Sequence, residues 1–181
     1  MLKREDAVRR MAALTSVMIM AAVEALAQEK QSSPGRRIVI SLADRKLAVL
    51  ESGRIVKVFP TAVGAEQTPS PVGSFRVIQR VSDPTWYTKG KVVPPGKSNP
   101  LGTRWLGLSA KGYGIHGTNA PASIGHNASH GCIRMRNRDV EQLFEMVTVG
   151  DPVELYRERT PELEGIFGQV LVAQASAADG Q

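Results

Sequence analysis

The apolar residues of this chain come in short runs rich in Val and Ile, and Gly, Pro or polar turns separate one run from the next. Runs of this kind are typical of β-strands, because a helix needs a longer stretch with apolar residues every three or four positions. Apolar residues make up 42% of the sequence and aromatic residues 5%, which is a globular composition. The 181 residues allow one domain of ordinary size. We therefore expect a single domain that is mainly β.

The same patterns locate the strands. A strand at residues 36–42 precedes a hairpin made of residues 46–50 and 54–59, whose turn lies at residues 51–53. Further strands are expected at residues 61–64, 74–78, 105–108, 113–116 and 153–156. Residues 82–100 have no periodicity and contain several prolines, so we expect a long loop there. Because this loop holds Trp86 and Tyr87, we interpret it as a lid over a substrate groove, with a surface loop of no function as the alternative.

Two helices are expected in the second half of the chain. The principal one begins at Asn137, a good N-cap residue, and places Val140, Leu143 and Phe144 on one face at helical spacing. A short C-terminal helix could begin at Thr160, because a proline follows it at the first helical position.

The first 27 residues have the anatomy of a secretory signal peptide. Basic residues at the start are followed by an apolar run at residues 11–23 and by small residues at a cleavage site after Ala27. The apolar run is too short to span a bilayer comfortably, so an uncleaved anchor is the second choice. The pair Arg9 and Arg10 leaves export by the twin-arginine route open. We therefore expect an exported protein of the periplasm or cell envelope, with no stable membrane insertion after cleavage.

The chain accordingly divides into four predicted segments. These are a signal peptide at 1–27, a flexible lead at 28–35, the folded domain at 36–157, and a C-terminal helix and tail at 158–181. The formal net charge is +6, but the basic residues are scattered and no nucleic-acid-binding signature is present. We interpret the charge as a solvated basic surface and expect no nucleic-acid partner.

A single cysteine, Cys132, stands in the run Ser129-His130-Gly131-Cys132. A lone thiol in a protein bound for an oxidising compartment cannot form an internal disulfide, so it is either buried and inert or kept for its reactivity. Polar residues and glycine surround it, which favours reactivity. We predict that Cys132 is a nucleophile in acyl transfer.

The base that serves Cys132 can be sought among the three histidines. His130 is only two residues away, but neighbours on one face of an extended segment stand about 7 Å apart. His116 ends a predicted strand, and Cys132 lies in the next extended segment, so the two side chains can meet tip to tip. We therefore predict His116 as the base and place His130 among the residues that contact substrate.

Further residues around Cys132 have predicted roles. Gly131 permits an unusual backbone turn and leaves the Cys132 N–H free to stabilise an oxyanion. Arg134 shares a face with Cys132 and could bind a substrate carboxylate, a surface salt bridge being the alternative. Ser129 either orients a histidine or ends the turn. A zinc site is disfavoured because paired His or Cys ligands at zinc spacing are missing from the sequence, so no metal is predicted.

Several motifs together resemble the signature of L,D-transpeptidases of the YkuD type. They are Thr68-Pro69-Ser70-Pro71-Val72-Gly73-Ser74-Phe75, Asn99-Pro100-Leu101-Gly102, Ile115-His116-Gly117-Thr118-Asn119, Ser123-Ile124-Gly125, and Ser129-His130-Gly131-Cys132-Ile133-Arg134-Met135 with Asn137 and Asp139. A multi-part motif in this order is far more specific than an isolated His-Gly-Cys. The resemblance covers roughly residues 36–156.

The resemblance implies a β-sandwich of mixed sheets with one principal helix, and a catalytic domain at residues 36–157. It implies that Cys132 carries the acyl group, that His116 accepts and donates the proton, and that either the carbonyl of Gly117 or Ser129 orients His116. Asn119 ends one of these motifs and Tyr113 lies shortly before it, and we expect both to contact substrate together with His130 and Arg134. No cofactor is implied.

The resemblance also implies the substrate. Members of the family cut a peptidoglycan stem tetrapeptide after its third residue, release the terminal D-alanine and pass the acyl group to an amine. The acceptor can be another stem or an anchored lipoprotein. Two alternatives stay open: an L,D-carboxypeptidase that uses water at the same site, and a non-catalytic peptidoglycan-binding protein.

Overall fold

A computed structural model describes residues 35–168 of the chain, and the predicted signal peptide, most of the lead and the tail beyond residue 168 lie outside this range. Twelve strands are present in the described part. They are β1 (Arg36–Ser41), β2 (Lys46–Glu51), β3 (Arg54–Pro60), β4 (Val63–Gly64), β5 (Gly73–Ser82), β6 (Trp86–Thr88), β7 (Lys91–Val93), β8 (Arg104–Leu108), β9 (Gly114–His116), β10 (Asn127–Ser129), β11 (Ile133–Arg134) and β12 (Pro152–Tyr156). The mainly β prediction is confirmed.

Eight of these strands form one mixed sheet in the order β11-β9-β8-β5-β12-β1-β2-β3. β5 joins the two halves of the sheet, since its first residues pair with β12 and its last residues pair with β8. A register shift between Val77 and Gln79 interrupts the pairing with β8 near its start, and irregularities of this kind bend a strand and increase its twist. The sheet therefore curls around one core, which takes side chains from both halves, among them Ile38, Leu106 and Ile115.

Two helices cover the sheet. α1 (Asn137–Met146) turns Val140, Leu143 and Phe144 towards the main core and contacts β8 and β9. α2, at residues 161–168, begins where Thr160 accepts a hydrogen bond from the Leu163 N–H. Within residues 35–168, no helix has the length and apolar character needed to cross a bilayer.

α2 explains why β1 and β2 are buried along most of their length. On these strands Ile38, Ile40, Leu47 and Val49 belong to the main core, whereas alternate residues point the other way. Those alternate residues form a second apolar cluster with α2, which contains Val39, Ala48, Leu50, Leu163, Ile166 and Phe167.

Two local predictions were wrong. Residues 82–100 are not an irregular loop throughout, because β6 and β7 form a hairpin within them, with Trp86 opposite Val93. Asn137 is not the N-cap of α1: Arg136 occupies that position without a side-chain capping bond. The Asn137 side chain instead accepts a hydrogen bond from the Thr118 N–H at 3.0 Å, which ties α1 to the segment after β9.

Candidate active site

The candidate site forms where β8, β9 and β11 run side by side. β9 and β11 are parallel, with Arg134 opposite His116, and on the other side of β9 the residue paired with His116 is Trp105 of β8. Cys132 directly precedes β11, so it reaches β9 near Gly114, two residues before His116. His116 and Cys132 therefore lie diagonally on adjacent parallel strands. The direct tip-to-tip contact of their side chains stays a prediction.

His116 is buried and held on several sides. Its ring stacks on the indole of Trp105 with centroids 5.7 Å apart, and its Nδ1 lies 2.6 Å from the Gly117 carbonyl oxygen. A carbonyl only accepts, so Nδ1 carries the hydrogen and the neutral ring leaves Nε2 free to take a proton. Of the two orienting partners that the resemblance implies, the carbonyl of Gly117 is the one in contact with the ring.

The surroundings of His116 keep it neutral. Burial is the largest cause that lowers its pKa, to about 4, and the positive charge of Arg134 lowers it as well. Backbone hydrogen bonds with Gly117 and Leu101 oppose this effect. At neutral pH the imidazole is therefore unprotonated, which is the form that a general base requires.

Cys132 is a protonated thiol in this environment. Burial raises the pKa of the Cys132 thiol, whereas a backbone hydrogen bond with Gly114 and the charge of Arg134 act against that rise. The Sγ atom donates to the Gly112 carbonyl oxygen at 3.8 Å, and among residues 35–168 no hydrogen bond joins it to His116. Hydrogen bonds of this kind often form only when substrate is bound, so the diagonal placement remains compatible with proton transfer.

The turn before Cys132 is fixed by Ser129 and Gly131. The Ser129 hydroxyl donates to the Cys132 carbonyl oxygen at 2.5 Å and accepts the Gly131 N–H at 3.0 Å, so it closes the turn, and within residues 35–168 no hydrogen bond joins it to His116. Gly131 has a φ of 106°, and a Cβ there would stand 2.6 Å from the ring of Tyr113. Any other residue at position 131 would therefore be strained and would displace Tyr113.

Two cavities meet at the thiol. One has a volume of about 670 Å³ and is lined by Trp105, Gly112 and the hairpin residues Trp86 and Tyr87, among others. The other, of about 480 Å³, is lined by His116, Ser129, His130 and Arg134, among others. Cys132, Trp86 and Leu101 line both, so a group attached to Cys132 is accessible from two sides.

The β6–β7 hairpin is anchored beside these cavities by Asn99. Its buried side-chain amide donates to the carbonyl oxygens of Pro84, Val93 and Pro94 at 2.7, 3.2 and 3.2 Å. Its Oδ1 accepts the Leu101 N–H at 2.9 Å. The backbone of Leu101 opposes the lowering of the His116 pKa, so Asn99 connects the hairpin to a residue that acts on the candidate base.

The predicted substrate contacts divide into two groups. His130 and Arg134 line the cavity at Cys132, whereas Tyr113 and Asn119 line neither cavity. Tyr113 packs on Gly131, and the exposed Asn119 donates to the Ser98 carbonyl oxygen at 3.0 Å. In the part of the chain that the structure describes, no group of three or more His, Cys, Asp or Glu is arranged to hold a metal ion.

Sequence reasoning missed Trp105, Leu101 and Asn99. Trp105 acts on His116 from the neighbouring strand, and Leu101 acts on it through its backbone. Neither contact produces a local pattern in the sequence. For Asn99, a signal existed in the motif Asn99-Pro100-Leu101-Gly102, but the motif does not say which groups the amide reaches.

Comparison with known proteins leads to the same family as the motifs. The model of the YkuD family, described as the L,D-transpeptidase catalytic domain, matches residues 35–155, so this chain belongs to that family. The chain is 43% identical over 119 residues to L,D-transpeptidase YkuD of Bacillus licheniformis and 40% identical over 120 residues to its namesake in Bacillus subtilis. Each match covers 66% of this chain. The chain spans 64% and 65% of those relatives, which is less than two thirds of their length.

Solved structures agree on the fold. An L,D-transpeptidase of Mycobacterium tuberculosis superposes with a TM-score of 0.58 at 23% identity, covering 68% of this chain and 58% of that one. One from Mycobacterium smegmatis gives a TM-score of 0.57 at 22% identity, covering 67% and 58%. At this level of identity the likeness concerns the fold, and it confirms the L,D-transpeptidase fold that the motifs predicted.

Proposed function

We propose that this protein is an L,D-transpeptidase that acts on peptidoglycan stem peptides through a thioester on Cys132 and serves in building the cell wall. Its membership in the YkuD family supports the reaction class. The observation that carries the proposal is the position of the Cys132 thiol, which lies where two cavities meet, diagonally across from a neutral His116.

In the first half of the reaction, Nε2 of His116 takes the proton of Cys132. The thiolate attacks the carbonyl carbon that precedes the terminal D-alanine of a stem tetrapeptide, and the carbon–sulfur bond forms. The Cys132 N–H is our candidate donor to the oxyanion, because the Gly131 N–H is already bound by Ser129. The carbon–nitrogen bond then breaks, and His116 returns its proton to the departing D-alanine amine.

In the second half, an amine attacks the thioester from the other cavity. The new carbon–nitrogen bond forms while His116 takes a proton from the attacking nitrogen. The carbon–sulfur bond then breaks, and His116 passes that proton to the departing Cys132 thiolate, which restores the thiol. Two cavities that share Cys132 leave room for a donor and an acceptor at once. The acceptor is another stem or the side chain of an anchored lipoprotein, and water in its place would give a carboxypeptidase.

The location and further residues belong to the same proposal. We infer export to the periplasm or cell envelope, where such substrates are found, from the signal-peptide pattern at residues 1–27. His130 and Arg134 are proposed to bind substrate from the cavity wall, with the guanidinium of Arg134 directed at a stem carboxylate. No cofactor takes part, since the thiol and the imidazole supply both chemical roles.

The test incubates the protein and its Cys132→Ala variant with a disaccharide-tetrapeptide and weighs the products by mass spectrometry. A cross-linked dimer together with free D-alanine from the unaltered protein only is the expected result. Tripeptide without dimer would indicate the carboxypeptidase. No product from either protein would overturn both enzymatic proposals and leave a peptidoglycan-binding protein.

Two histidine variants make a matched pair in the same assay. His116→Gln is expected to lower kcat by about two to four orders of magnitude, the usual contribution of a general base. His130→Gln removes an exposed imidazole from the same cavity and should leave kcat within a few-fold, with its effect mainly on KM. The reverse outcome would show that His130 is the base.

A further inference from the structure

A third cavity, of about 340 Å³, lies apart from the two at Cys132 and shares no lining residue with them. Three charged side chains line it: Arg45, Arg157 and Glu66. We call it the Arg45–Arg157 cavity. We propose that it binds a free amino-acid group, meaning a carboxylate together with an ammonium on one ligand.

The topology brings the two arginines together. β1 and β12 are parallel neighbours whose last residues, Ser41 and Tyr156, are paired. Arg157 is the first residue after β12, and Arg45 lies in the short turn after β1. Crevices beyond the carboxyl ends of parallel strands are frequent binding sites, because the following loops diverge there.

The backbone holds Arg45 in an unusual conformation. Its φ is 53°, in the left-handed region that is uncommon for residues other than glycine, and its carbonyl oxygen accepts the Thr61 N–H at 2.8 Å. On the side-chain end, a guanidinium nitrogen of Arg45 makes a long contact of 3.5 Å with Oδ1 of Asn127, which lines the same cavity. This contact leaves most of the guanidinium hydrogens available to a ligand.

The charges in the cavity lack partners within the described chain. Neither Arg45 nor Arg157 lies within 4.0 Å of a carboxylate of residues 35–168, and Glu66 makes no ion pair there either. The nearby Asp44 is already bound by Arg159 and by the Ser41 hydroxyl. Two guanidiniums and one carboxylate in one concavity match a ligand that presents a carboxylate to the arginines and an ammonium to Glu66.

The cavity also holds a buried polar group. Ser70 is 3% exposed, lines the cavity, and accepts the Gly64 N–H at 2.9 Å. Since an oxygen with that bond can still donate its own hydrogen, Ser70 adds a donor for a ligand carboxylate. We take such a group to belong to a peptidoglycan peptide, which rests on the proposed function, whereas binding of an amino-acid group can be measured without any transfer reaction.

The experiment therefore uses the Cys132→Ala protein and records amide chemical shifts by NMR during titration. Three probes of similar length separate the charges: meso-diaminopimelic acid carries both groups, pimelate carries only carboxylates, and 1,5-diaminopentane carries only ammoniums. We expect saturable shifts of the Gly64, Ala65 and Asn127 amides with meso-diaminopimelic acid. Pimelate should bind about tenfold more weakly, and 1,5-diaminopentane should cause no shift there.

Charge variants test the assignment of each group. Arg157→Gln and Arg45→Gln should each weaken binding of meso-diaminopimelic acid about tenfold, as expected for a lost charge-assisted hydrogen bond. Glu66→Gln should weaken meso-diaminopimelic acid and strengthen pimelate. Arg54→Gln, which removes an exposed arginine outside the cavity, is the matched control and should change neither.

Several outcomes would overturn the proposal. The first is equal affinity for pimelate and meso-diaminopimelic acid together with no effect of Glu66→Gln, because the cavity would then bind any anion. The second is that the chemical shifts change only at residues around Cys132. Absence of saturable shifts would leave only a solvated basic surface. Because catalysis is not used as a readout, none of these results depends on whether the transpeptidase assay succeeds.

Discussion

His116 lies between an aromatic ring and a positive charge, and both neighbours come from adjacent strands. Trp105 stacks on one side of the imidazole, while the charge of Arg134 acts from the other strand. This placement makes the neutral imidazole the resting form at neutral pH and well below it. The pH dependence of the protein's stability should therefore include a contribution from this one residue.

We expect the free energy of unfolding to fall as the pH drops from 6.5 to about 4. The unfolded chain takes up a proton on His116 near its ordinary pKa of 6.5, whereas the folded protein resists protonation until about pH 4. The loss is at most about 3 kcal/mol, and no further loss from this residue follows below that range. Urea titrations across this range measure it. His116→Gln should flatten the dependence, and equal slopes in both proteins would contradict the pKa shift.

Arg134 should control the reactivity of the thiol. Its charge lowers the pKa of both Cys132 and His116, so Arg134→Gln is expected to move both upwards. The alkaline rise in the rate of Cys132 alkylation by iodoacetamide, followed by mass spectrometry, would then occur at higher pH. Arg134→Lys should largely restore the profile. Arg138→Gln, an exposed arginine on α1, is the control, and a shift as large in that variant would argue against a local effect.

At this scale the sequence predicts part of the site. Cys132 is distinguished as the lone cysteine, and the spacing argument together with the motif singles out His116. The orientation of the imidazole is not visible in the sequence, because it depends on the backbone carbonyl of Gly117 and on Trp105 across the sheet. Neither contact corresponds to a pattern of residue types along the sequence, so neither could be predicted from it.

Among the elements, the β6–β7 hairpin contributes residues to the walls of both cavities. It has three residues in each strand, and Trp86 reaches both cavities from it. Such a short hairpin is unstable by itself. The buried amide of Asn99 stabilises the hairpin, since it donates to the carbonyl oxygens of Pro84 before it and Pro94 after it.

Asn99→Asp should loosen the hairpin. The substitution keeps the size and the acceptor for the Leu101 N–H but replaces the amide donors, which face three carbonyl oxygens. We expect faster hydrogen–deuterium exchange at residues 84–101 and a loss of about tenfold to a hundredfold in kcat/KM. Asn119→Ala, which removes a single exposed bond to Ser98, is the matched control. Equal exchange in the two variants would show that Asn99 has no special role.

The sequence predicts best the elements with a sustained apolar pattern, and length alone does not decide this, since the ten-residue β5 was expected only at residues 74–78. β1, β2, β3 and α1 have enough residues for their apolar pattern to be recognised, and their predicted positions differ from the observed ones by a residue or so. β6, β7 and β10 have three residues each, which is too few for any periodicity. Their strand character comes from pairing with distant segments, as with Asn127 of β10 opposite Val63 of β4.

Across the whole molecule, the sheet carries a separate apolar cluster on each face. The main core supports β8, β9 and β11, and therefore the candidate active site, whereas the cluster under α2 involves β1 and β2. The fold class was predictable because alternating and short apolar runs indicate strands. The order of the strands was not, since β12 comes last in sequence yet lies between β5 and β1.

Leu163→Ala should lower the stability of the fold without changing the reactivity of the Cys132 thiol. Leu163 is fully buried between α2 and the sheet, so we expect the free energy of unfolding to fall by about 2–4 kcal/mol. The rate of Cys132 alkylation under native conditions should stay unchanged, because the two clusters are distinct. Glu164→Ala, on the exposed side of α2, is the control for helix propensity. A change in alkylation rate that matches the loss of stability would show that the two faces are coupled.

The placement of Trp86 and Trp105 has a spectroscopic consequence. These are the only two tryptophans in the chain, and both line the cavity beside Cys132. Ultraviolet-excited emission from this protein therefore comes almost entirely from its candidate active site, with no indole elsewhere to mask it. Protonation of the imidazole stacked on Trp105, or acylation of the thiol, should change the intensity or colour of that emission. The native protein thus contains its own optical reporter, which requires no attached dye.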